Sequence, residues 1–147
     1  MSEKIWVGAD HAGFELKEKL KTELKRLGYE PVDAGPVRLD PADDFPDYGK
    51  PVAEAVSEGL VKRGILTCGT GLGMSYVANR FPQVRAAVVW TPEIAALSRK
   101  HNDANILVLP SRFTNDQQAM DILHTFLDTP FEGGRHERRV EKIERDD

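Results

Sequence analysis

The stretch GILTCGTGLGMSYVANR, residues 64–80, contains the signals that decide the fold. It begins with a short apolar run, Gly64 to Cys68, of the kind that forms a buried strand. Three alternating glycines interrupt the run at positions 69, 71 and 73, and a helix is predicted from there to about Arg80. A buried strand followed by a turn and a helix is the repeating unit of α/β proteins, so the stretch predicts a parallel sheet.

The same alternation of strand and helix signals continues along the whole chain. The other predicted strands are Ile5 to Ala9, Glu30 to Asp33, Val84 to Trp90 and Asn105 to Leu109. Strands separated by helices cannot pair as hairpins, so the sheet is expected to be parallel and covered on both faces. The predicted fold is a three-layer, Rossmann-like (flavodoxin-like) α/β sandwich with a five-stranded parallel sheet in the order 2-1-3-4-5.

Helix signals fit between these strands. Leucines at 16, 20, 24 and 27 recur on one helical face, and Gly28 ends that helix. Thr114 and Gln117 have the spacing of a capping box that opens a helix to about Leu127. A basic helix over about residues 135–146 is expected to close a single domain of residues 1–147.

Composition excludes several classes of protein. The chain has 147 residues, 20 Lys plus Arg and 24 Asp plus Glu, which gives a net charge of −4 and argues against nucleic acid as a partner. Its single cysteine, Cys68, excludes an intramolecular disulfide and a multi-cysteine zinc site, and it suits a reducing cytosol. No apolar run approaches the roughly 20 residues of a membrane span. We therefore expect a cytoplasmic protein with no membrane partner.

The predicted topology brings two reactive segments together. Ligands of this fold bind outside the carboxyl ends of strands 1 and 3. Those ends carry Asp10-His11 and the segment Cys68 to Gly73. The Pro- and Asp-rich stretch from Gly35 to Asp47 reads as a long loop, and loops of that length are often functional.

The segment GTGLG (69–73) predicts an anion-binding hollow. Alternating glycines leave successive backbone N–H groups unobstructed at a helix start, where partial positive charge favours an anion. The third glycine comes one position too early for a dinucleotide fingerprint, and no Gly-Lys-Ser/Thr follows as in a P-loop. The alternative is that the glycines only permit close packing of helix and strand.

Cys68 is a candidate base. A thiol just before a helix can have a depressed pKa, and a thiolate can remove a carbon-bound proton. A phosphocysteine mechanism is not indicated, because position 74, where phosphatases of that type have Arg, is Met. The alternative is a buried cysteine that only packs.

Histidines and arginines supply acid and cationic groups. His101 ends a helix, where an imidazolium is stabilised, whereas His124 reads as a helical surface residue. Arg135 and Arg139 lie one turn apart and can grip one phosphate, and Arg112 follows the fifth strand. The alternative for the basic cluster is a solvated helix. No two histidines have ligand spacing i, i+4, so no metal site is predicted.

Five blocks of sequence together resemble one known family. They are GADHAGFELK (8–17), DFPDYGKPVA (44–53), CGTGLGMSYVANRF (68–81), SRKHNDANILVLPSR (98–112) and FEGGRHERR (131–139). In this order they resemble the type B ribose-5-phosphate isomerases, a family that includes allose- and galactose-6-phosphate isomerases. The resemblance extends from about Lys4 to Ile143.

The resemblance implies an aldose–ketose isomerase that acts on a sugar phosphate through a cis-enediolate, without metal or cofactor. It also implies a Rossmann-like homodimer whose active sites are shared between two subunits, and it leaves open whether dimers pair into tetramers. Matched by position, Cys68 is the base between C1 and C2, His101 opens the furanose ring, and Asp10 handles protons on the sugar hydroxyls.

The remaining site residues follow from the same match. Thr70 and the loop amides correspond to the hollow that stabilises the enediolate oxygen, and Asn102 corresponds to a sugar contact. The substrate-binding positions are His11, Gly69, Gly71, Leu72, Gly73, Asn102, Arg112, Arg135 and Arg139.

Two departures from the family pattern bear on mechanism and specificity. A second branch of the family has a glutamate base on the glycine loop, but the matching residue here is Met74, which leaves Cys68 as the base. Phe45 stands where many relatives have Tyr, which removes one hydroxyl contact to the sugar. Ribose 5-phosphate is the expected substrate; the alternatives are a 6-carbon or tetrose phosphate, and, from another class, a non-catalytic anion-binding module.

Overall fold

The computed structural model describes residues 2–145 and has a five-stranded parallel sheet with helices on both faces. The strands are β1 (Lys4–Ala9), β2 (Glu30–Gly35), β3 (Arg63–Cys68), β4 (Ala86–Val88) and β5 (Ile106–Pro110). The helices are α1 (Phe14–Arg26), α2 (Pro46–Ser57), α3 (Leu72–Ala78), α4 (Pro92–Lys100), α5 (Asp116–Asp128) and α6 (Arg135–Glu141). The predicted α/β class is confirmed.

Two apolar cores lie on the two faces of the sheet. On one face, the leucine stripe of α1 packs with α4, α5 and the inward side chains of β1, β3 and β5. On the other face, α2 and α3 cover Leu66, Ile106 and Val108. Alternate residues of the central strands face opposite cores, so these strands are apolar throughout.

The order of the last two strands differs from the prediction. The sheet runs β2-β1-β3-β5-β4, so the predicted order 2-1-3-4-5 is wrong at its end. All five residues of β5 are buried, as a central strand requires, whereas the three residues of β4 are only half-buried. Trp90, which was predicted to end the fourth strand, lies outside β4 and is 54% exposed.

The position of β5 between β3 and β4 also decides which face of the sheet α4 covers. Connections between parallel strands are right-handed, so the side on which a helix lies depends on the direction in which the chain moves across the sheet. The chain moves outward from β3 to β4 with α3 on one face, and then back to β5 with α4 on the other. Helix α4 therefore packs beside α5.

Two predicted helix ends shift. The capping box of α5 is Asn115 with Gln118, not Thr114 with Gln117. The Asn115 side chain accepts from the amide of Gln118 at 2.8 Å, while the Thr114 hydroxyl instead donates to the carbonyl of Pro110 at 3.0 Å. Both pairs have the right spacing, and the structure uses the asparagine one residue later.

The C-terminal helix α6 begins at Arg135 as predicted and ends at Glu141, followed by a turn at residues 142–143, so the predicted extent of about 135–146 is too long. Residue 146 lies outside the described residues. None of the helices formed by residues 2–145 has the length and apolar character needed to cross a bilayer.

A buried ion pair joins α1 to β2. Lys17 is fully buried, and its Nζ donates to both carboxylate oxygens of Asp33, at 2.9 and 3.1 Å, and to the carbonyl of Pro36. Lys21 donates to Asp33 from the solvent side at 2.6 Å. Burial acts to raise the pKa of Asp33, but the hydrogen bonds from the two lysines outweigh it and the pKa is lowered. The carboxylate is thus held ionised in the folded protein.

The edge strand β4 is flanked by a side chain of the segment before it. Asn79, just after α3, donates its amide N–H to the carbonyl of Ala86 at 3.0 Å and accepts from the amide of Ala86 at 2.8 Å. The main chain of Arg85 and Val89 bonds on the other side, to β5 and the residue before it. Both polar groups of Ala86 are therefore satisfied without a sixth strand.

Candidate active site

A small cleft opens at the carboxyl edge of the sheet, where β1 and β3 lie side by side. Its volume is about 190 Å³. It is lined by Asp10, His11, Ala12, Phe45, Cys68, Gly69, Thr70, Gly73 and Arg112. The sequence predicted a crevice at this edge, and seven of the predicted site residues lie around it.

Main-chain hydrogen bonds join the loops that form the cleft. The amide of Asp10 donates to the carbonyl of Thr67 in β3 at 3.3 Å. The amide of Arg112 donates to the carbonyl of Gly69 at 3.0 Å. The register of the sheet therefore sets the positions of residues that are far apart in sequence.

The glycine loop turns sharply above Cys68. Gly71 has φ of 79°, in the left-handed region that favours glycine, and a Cβ there would lie 3.1 Å from Val88. The Thr70 hydroxyl accepts from the amide of Leu72 at 3.2 Å. Gly71 and Leu72 belong to the loop but do not line the cleft, and the Leu72 side chain is exposed.

The Cys68 thiol lies at the end of β3 and is buried. Burial raises the pKa of this thiol above its ordinary value, and the nearby Asp10 carboxylate acts in the same direction. Backbone amides of Met74, Gly71 and Thr70 donate toward the sulfur and act to lower the pKa. The pKa of Cys68 is therefore raised rather than depressed, because the loss of water around the sulfur outweighs these amides.

His11 begins a short 3₁₀ turn, His11–Gly13, directly after β1. Asp10 caps the turn by accepting from the amide of Gly13 at 3.0 Å. The ring Nδ1 of His11 lies 2.8 Å from Oδ1 of Asp43, and the His11 amide donates to the same oxygen at 3.1 Å. The hydrogen bond with Asp43 raises the pKa of His11, burial and Arg112 oppose the rise, and Asp10 adds to it.

Arg112 brings a guanidinium to the cleft, near His11. A Cβ placed on Gly69 would lie 3.1 Å from its guanidinium, so the glycine lets the side chain lie flat over the loop. Within residues 2–145 the guanidinium has no hydrogen bond or ion pair. A guanidinium and a neighbouring imidazole, which is cationic when protonated, form with the backbone amides a site for a small anion.

The other predicted site residues form a second group elsewhere. His101 caps the end of α4, and its ring stacks on that of His136 with centroids 4.4 Å apart and planes at 14°. Asn102 follows His101, and Arg135 and Arg139 belong to the same helix as His136. Both arginines are exposed.

The two groups lie at opposite edges of the sheet. Helix α4 runs antiparallel to the strands, from the end of β4 to the start of β5, so His101 lies near the amino end of β5. Cys68 pairs with Pro110 at the carboxyl end of the same strand. Four residue steps along a strand span roughly 13 Å. Within one chain, His101 therefore does not reach the cleft that holds Cys68.

The second group contains one set of side chains with metal-ligand chemistry. Ligand atoms of His101, Glu132 and His136 lie within 4.8 Å of one another, the one such group among residues 2–145. The two imidazole rings are stacked nearly parallel, so their in-plane lone pairs do not converge on one point. No two histidines of the chain are spaced i, i+4, so this group could not be predicted from histidine spacing; His101 lies in a different segment from Glu132 and His136.

Sequence reasoning also missed Asp43. The sequence marks the loop from Gly35 to Asp47 as a candidate functional segment and singles out Phe45 in it, but not Asp43. The side chain of Asp43 is 3% exposed, so this carboxylate at the cleft is removed from water. A run of acidic residues in a loop does not show in advance which carboxylate turns inward.

Larger clefts lie away from Cys68. One of about 520 Å³ is lined mainly by the segment from Asn79 to Ala87, together with Ser98 and Asn102, and another of about 670 Å³ lies at the amino edge of the sheet. Neither contains a thiol or a glycine loop. Chemistry rather than size therefore identifies the candidate active site.

A buried thiol under backbone amides, beside an arginine and a histidine at the carboxyl edge of an α/β sheet, defines an enzyme site for a small anionic substrate. Comparison with known proteins identifies the family. Residues 5–143 match the family model described as Ribose/Galactose Isomerase, and the chain belongs to this family.

Several relatives are similar over almost their full length. Ribose-5-phosphate isomerase B of Escherichia coli is 44% identical over 140 residues, which are 95% of this chain and 93% of that protein. A ribose 5-phosphate isomerase from Thermotoga maritima, known from a crystal structure, is 49% identical in sequence. The match covers 98% of this chain and 99% of that one, with a TM-score of 0.93. Ribose-5-phosphate isomerase B from Mycoplasma genitalium, in a crystal structure with bound ribulose-5-phosphate, is 43% identical in sequence. The match covers 97% of this chain and 95% of that one, with a TM-score of 0.94.

Proposed function

We propose that the chain interconverts D-ribose 5-phosphate and D-ribulose 5-phosphate. The observation that carries this proposal is the convergence of Cys68, the glycine-loop amides, His11 and Arg112 on one small cleft. Family membership and relatives named ribose-5-phosphate isomerase B give the same substrate class. The carboxyl edge supplies a base, an oxyanion hollow and a phosphate clamp.

The reaction moves one proton between neighbouring carbons. The Cys68 thiolate removes the C2 proton of the open-chain aldose, and the electron pair forms the C1–C2 double bond of a cis-enediolate. Amides of the glycine loop stabilise the negative oxygen, and Asp10 moves protons between the sugar hydroxyls. Cys68 then returns its proton to C1, which gives the ketose and regenerates the thiolate.

The raised pKa of Cys68 fits this role. A base that removes a weakly acidic C–H proton gains driving force as its own pKa rises, provided that enough of it is ionised. Burial supplies the basicity, and the amides of Met74, Gly71 and Thr70 stabilise the thiolate once it forms.

Ring opening requires a second copy of the chain. His101 is the acid–base group for opening the furanose, Asn102 is a sugar contact, and Arg135 with Arg139 extends the phosphate clamp. These residues lie at the opposite edge of the sheet from Cys68, so a complete site needs the amino edge of a partner beside the carboxyl edge of this chain. A homodimer with two shared sites satisfies this geometry.

The test is an isomerase assay with purified variants. Cys68→Ala is expected to lower kcat by roughly 10²–10⁴-fold, the usual contribution of a positioned acid–base group. Wild-type kcat in this variant would contradict the proposed base. His101→Asn is expected to lose activity on ribose 5-phosphate, whereas the matched control His124→Asn, on the outer part of α5, retains it.

A 4-carbon substrate separates ring opening from proton transfer. A tetrose 4-phosphate has no free hydroxyl on C4 and cannot close a furanose ring. His101→Asn is therefore expected to retain near wild-type activity on an open-chain tetrose phosphate that the wild type isomerises. Equal losses on pentose and tetrose would assign His101 to another step.

The same chemistry on a longer sugar is the second candidate, because the matching family model includes galactose isomerases. Phe45 lines the cleft and contacts the position where a Cβ of Gly73 would lie, so its ring limits the room for a substrate. Comparison of kcat/KM for pentose, hexose and tetrose phosphates decides between them. Binding without turnover of any of these would indicate the non-catalytic module.

A further inference from the structure

We propose that Asp43 is a positioning residue that fixes the orientation and the proton of His11, so that His11 presents a charged Nε2–H to the substrate phosphate. This inference rests on the proposed function for the identity of the anion. It concerns a residue that makes no contact with the sugar and acts through its neighbour.

One oxygen of Asp43 holds two parts of His11. Oδ1 accepts from the main-chain amide at 3.1 Å and lies 2.8 Å from the ring Nδ1. The first contact fixes the start of the 3₁₀ turn, and the second fixes the rotation of the imidazole. Because a carboxylate only accepts, Nδ1 must carry a proton, and Nε2 is the nitrogen left for a ligand.

The other oxygen of Asp43 is unpartnered. Within residues 2–145, Oδ2 is the buried side-chain polar atom that has no hydrogen-bond partner. A buried carboxylate with one bare oxygen is costly unless its charge serves a nearby group. The group in contact with this carboxylate is the imidazole of His11.

The charges around His11 come from three segments. Asp43 in the long loop and Asp10 at the end of β1 favour the imidazolium, whereas Arg112 after β5 and partial burial disfavour it. Without Asp43, the neighbouring guanidinium would compete with His11 for the positive charge. With Asp43, His11 and Arg112 can both be cationic and bind one phosphate together.

The consequence for kinetics is a change in substrate binding. A contact to phosphate is made equally in the ground state and the transition state, so its loss raises KM and leaves kcat nearly unchanged. A lower pKa of His11 matters only above that pKa. The effect of removing the Asp43 charge is therefore small in mild acid and larger at neutral and alkaline pH.

The experiment compares Asp43→Asn with Asp40→Asn. The control removes the same charge from an exposed position of the same loop, and asparagine keeps the acceptor for the Ala42 amide. In Asp43→Asn, KM relative to wild type is expected to rise roughly three- to tenfold at pH 7.5 and less than about twofold at pH 5.5, since one pKa unit changes the imidazolium fraction by up to tenfold. Asp40→Asn should leave both ratios near one.

Two measurements test the inference apart from isomerase activity. NMR of labelled histidine, with the His11 signal identified by its loss in His11→Asn, gives the pKa and the tautomer of His11. Titration with inorganic phosphate gives a Kd for the anion site. Asp43→Asn is expected to lower the pKa of His11. It is also expected to raise the Kd for inorganic phosphate by about the same factor as it raises KM.

The outcomes separate this inference from the proposed function. An unchanged His11 pKa, an unchanged Kd for inorganic phosphate, or a loss confined to kcat overturns the role of Asp43. Absence of turnover in the wild type overturns the proposed function instead, and the NMR and phosphate measurements still decide the inference. If Asp43→Asn fails to fold, NMR of the wild type alone tests the proposal. In the neutral form of His11 the single proton is expected on Nδ1, and a neutral form with its proton on Nε2 instead overturns the proposal.

Discussion

Two inactive variants combined in one dimer are expected to restore activity. Cys68→Ala removes the proposed base at the carboxyl edge of the sheet, and His101→Asn removes the proposed acid–base group at the amino edge. If each site takes Cys68 from one chain and His101 from the other, a mixed dimer has one site with both substitutions and one site with neither.

The size of the rescue follows from counting sites. Random pairing of equal amounts makes half of the dimers mixed, and half of the sites in a mixed dimer are intact. Activity is therefore expected at about one quarter of the wild-type value. Four residue steps of β5 separate the levels of the two residues within one chain, about 13 Å, so no side-chain rotation produces the same result.

The assay uses co-expression of the two variants with different affinity tags. Purification over both tags isolates mixed dimers, which are expected to reach about half of the wild-type kcat per dimer. The control pair is Cys68→Ala with Arg112→Ala, whose defects lie in the same cleft. That pair should show no rescue, because every mixed dimer then has one defect in each site. Activity no higher than that of the separate variants in the first pair would refute the shared site.

Three further outcomes are expected. First, kcat/KM should rise with pH from 7 toward 9, because the proposed base Cys68 acts as a thiolate and burial raises the pKa of its thiol; a flat profile would contradict a thiolate base. Second, Lys17→Met should lower the free energy of unfolding by about 2 kcal/mol at pH 7. This is less than the usual cost of breaking a buried ion pair, because Lys21 still contacts Asp33. In the control Lys19→Met, the lost ion pair is exposed and the decrease should be under about 1 kcal/mol. Because folding lowers the pKa of Asp33, the stabilisation from this carboxylate is present above its pKa in the unfolded chain and is lost as the pH falls through its pKa in the folded protein. The difference in unfolding free energy between wild type and Lys17→Met, measured with urea, should therefore be smaller at pH 3 than at pH 7. Third, EDTA should leave kcat unchanged; loss of activity that a divalent metal restores would instead implicate His101, Glu132 and His136.

Local signals in the sequence were sufficient for the elements and for one half of the site. The apolar run before Cys68 and the glycines after it specify a strand end and a turn, and two such ends meet at the carboxyl edge of any parallel sheet. That geometry is independent of the order of the outer strands. The cleft could therefore be predicted although the strand order was wrong.

The strand order depends on a comparison between segments. The run ILVLP (106–110) is apolar on both faces, whereas the predicted fourth strand, Val84 to Trp90, includes Arg85 and ends at the exposed Trp90. Such a contrast indicates which strand is central and which lies at the edge. Periodicity within each segment identifies both as strands and does not rank them.

Contacts between distant segments account for the rest. The pKa of the Cys68 thiol depends on how deeply the residue is buried. The ring contact between His101 and His136 joins residues 35 positions apart in the sequence. The inward turn of Asp43 is likewise decided by its contact with His11. A single sequence carries the identities of these residues but not their distances.

The pairing of Asn79 with Ala86 has a consequence for how the protein behaves at high concentration. Exposed edge strands are templates on which another chain can add its own strand, which is a common route to aggregation. Here a side-chain amide already fills the donor and acceptor positions of Ala86 that an incoming strand would use. Asn79 thus occupies the outward main-chain groups of Ala86 in the edge strand β4, a role unrelated to catalysis, and Asn79→Ala is expected to leave them open to an added strand.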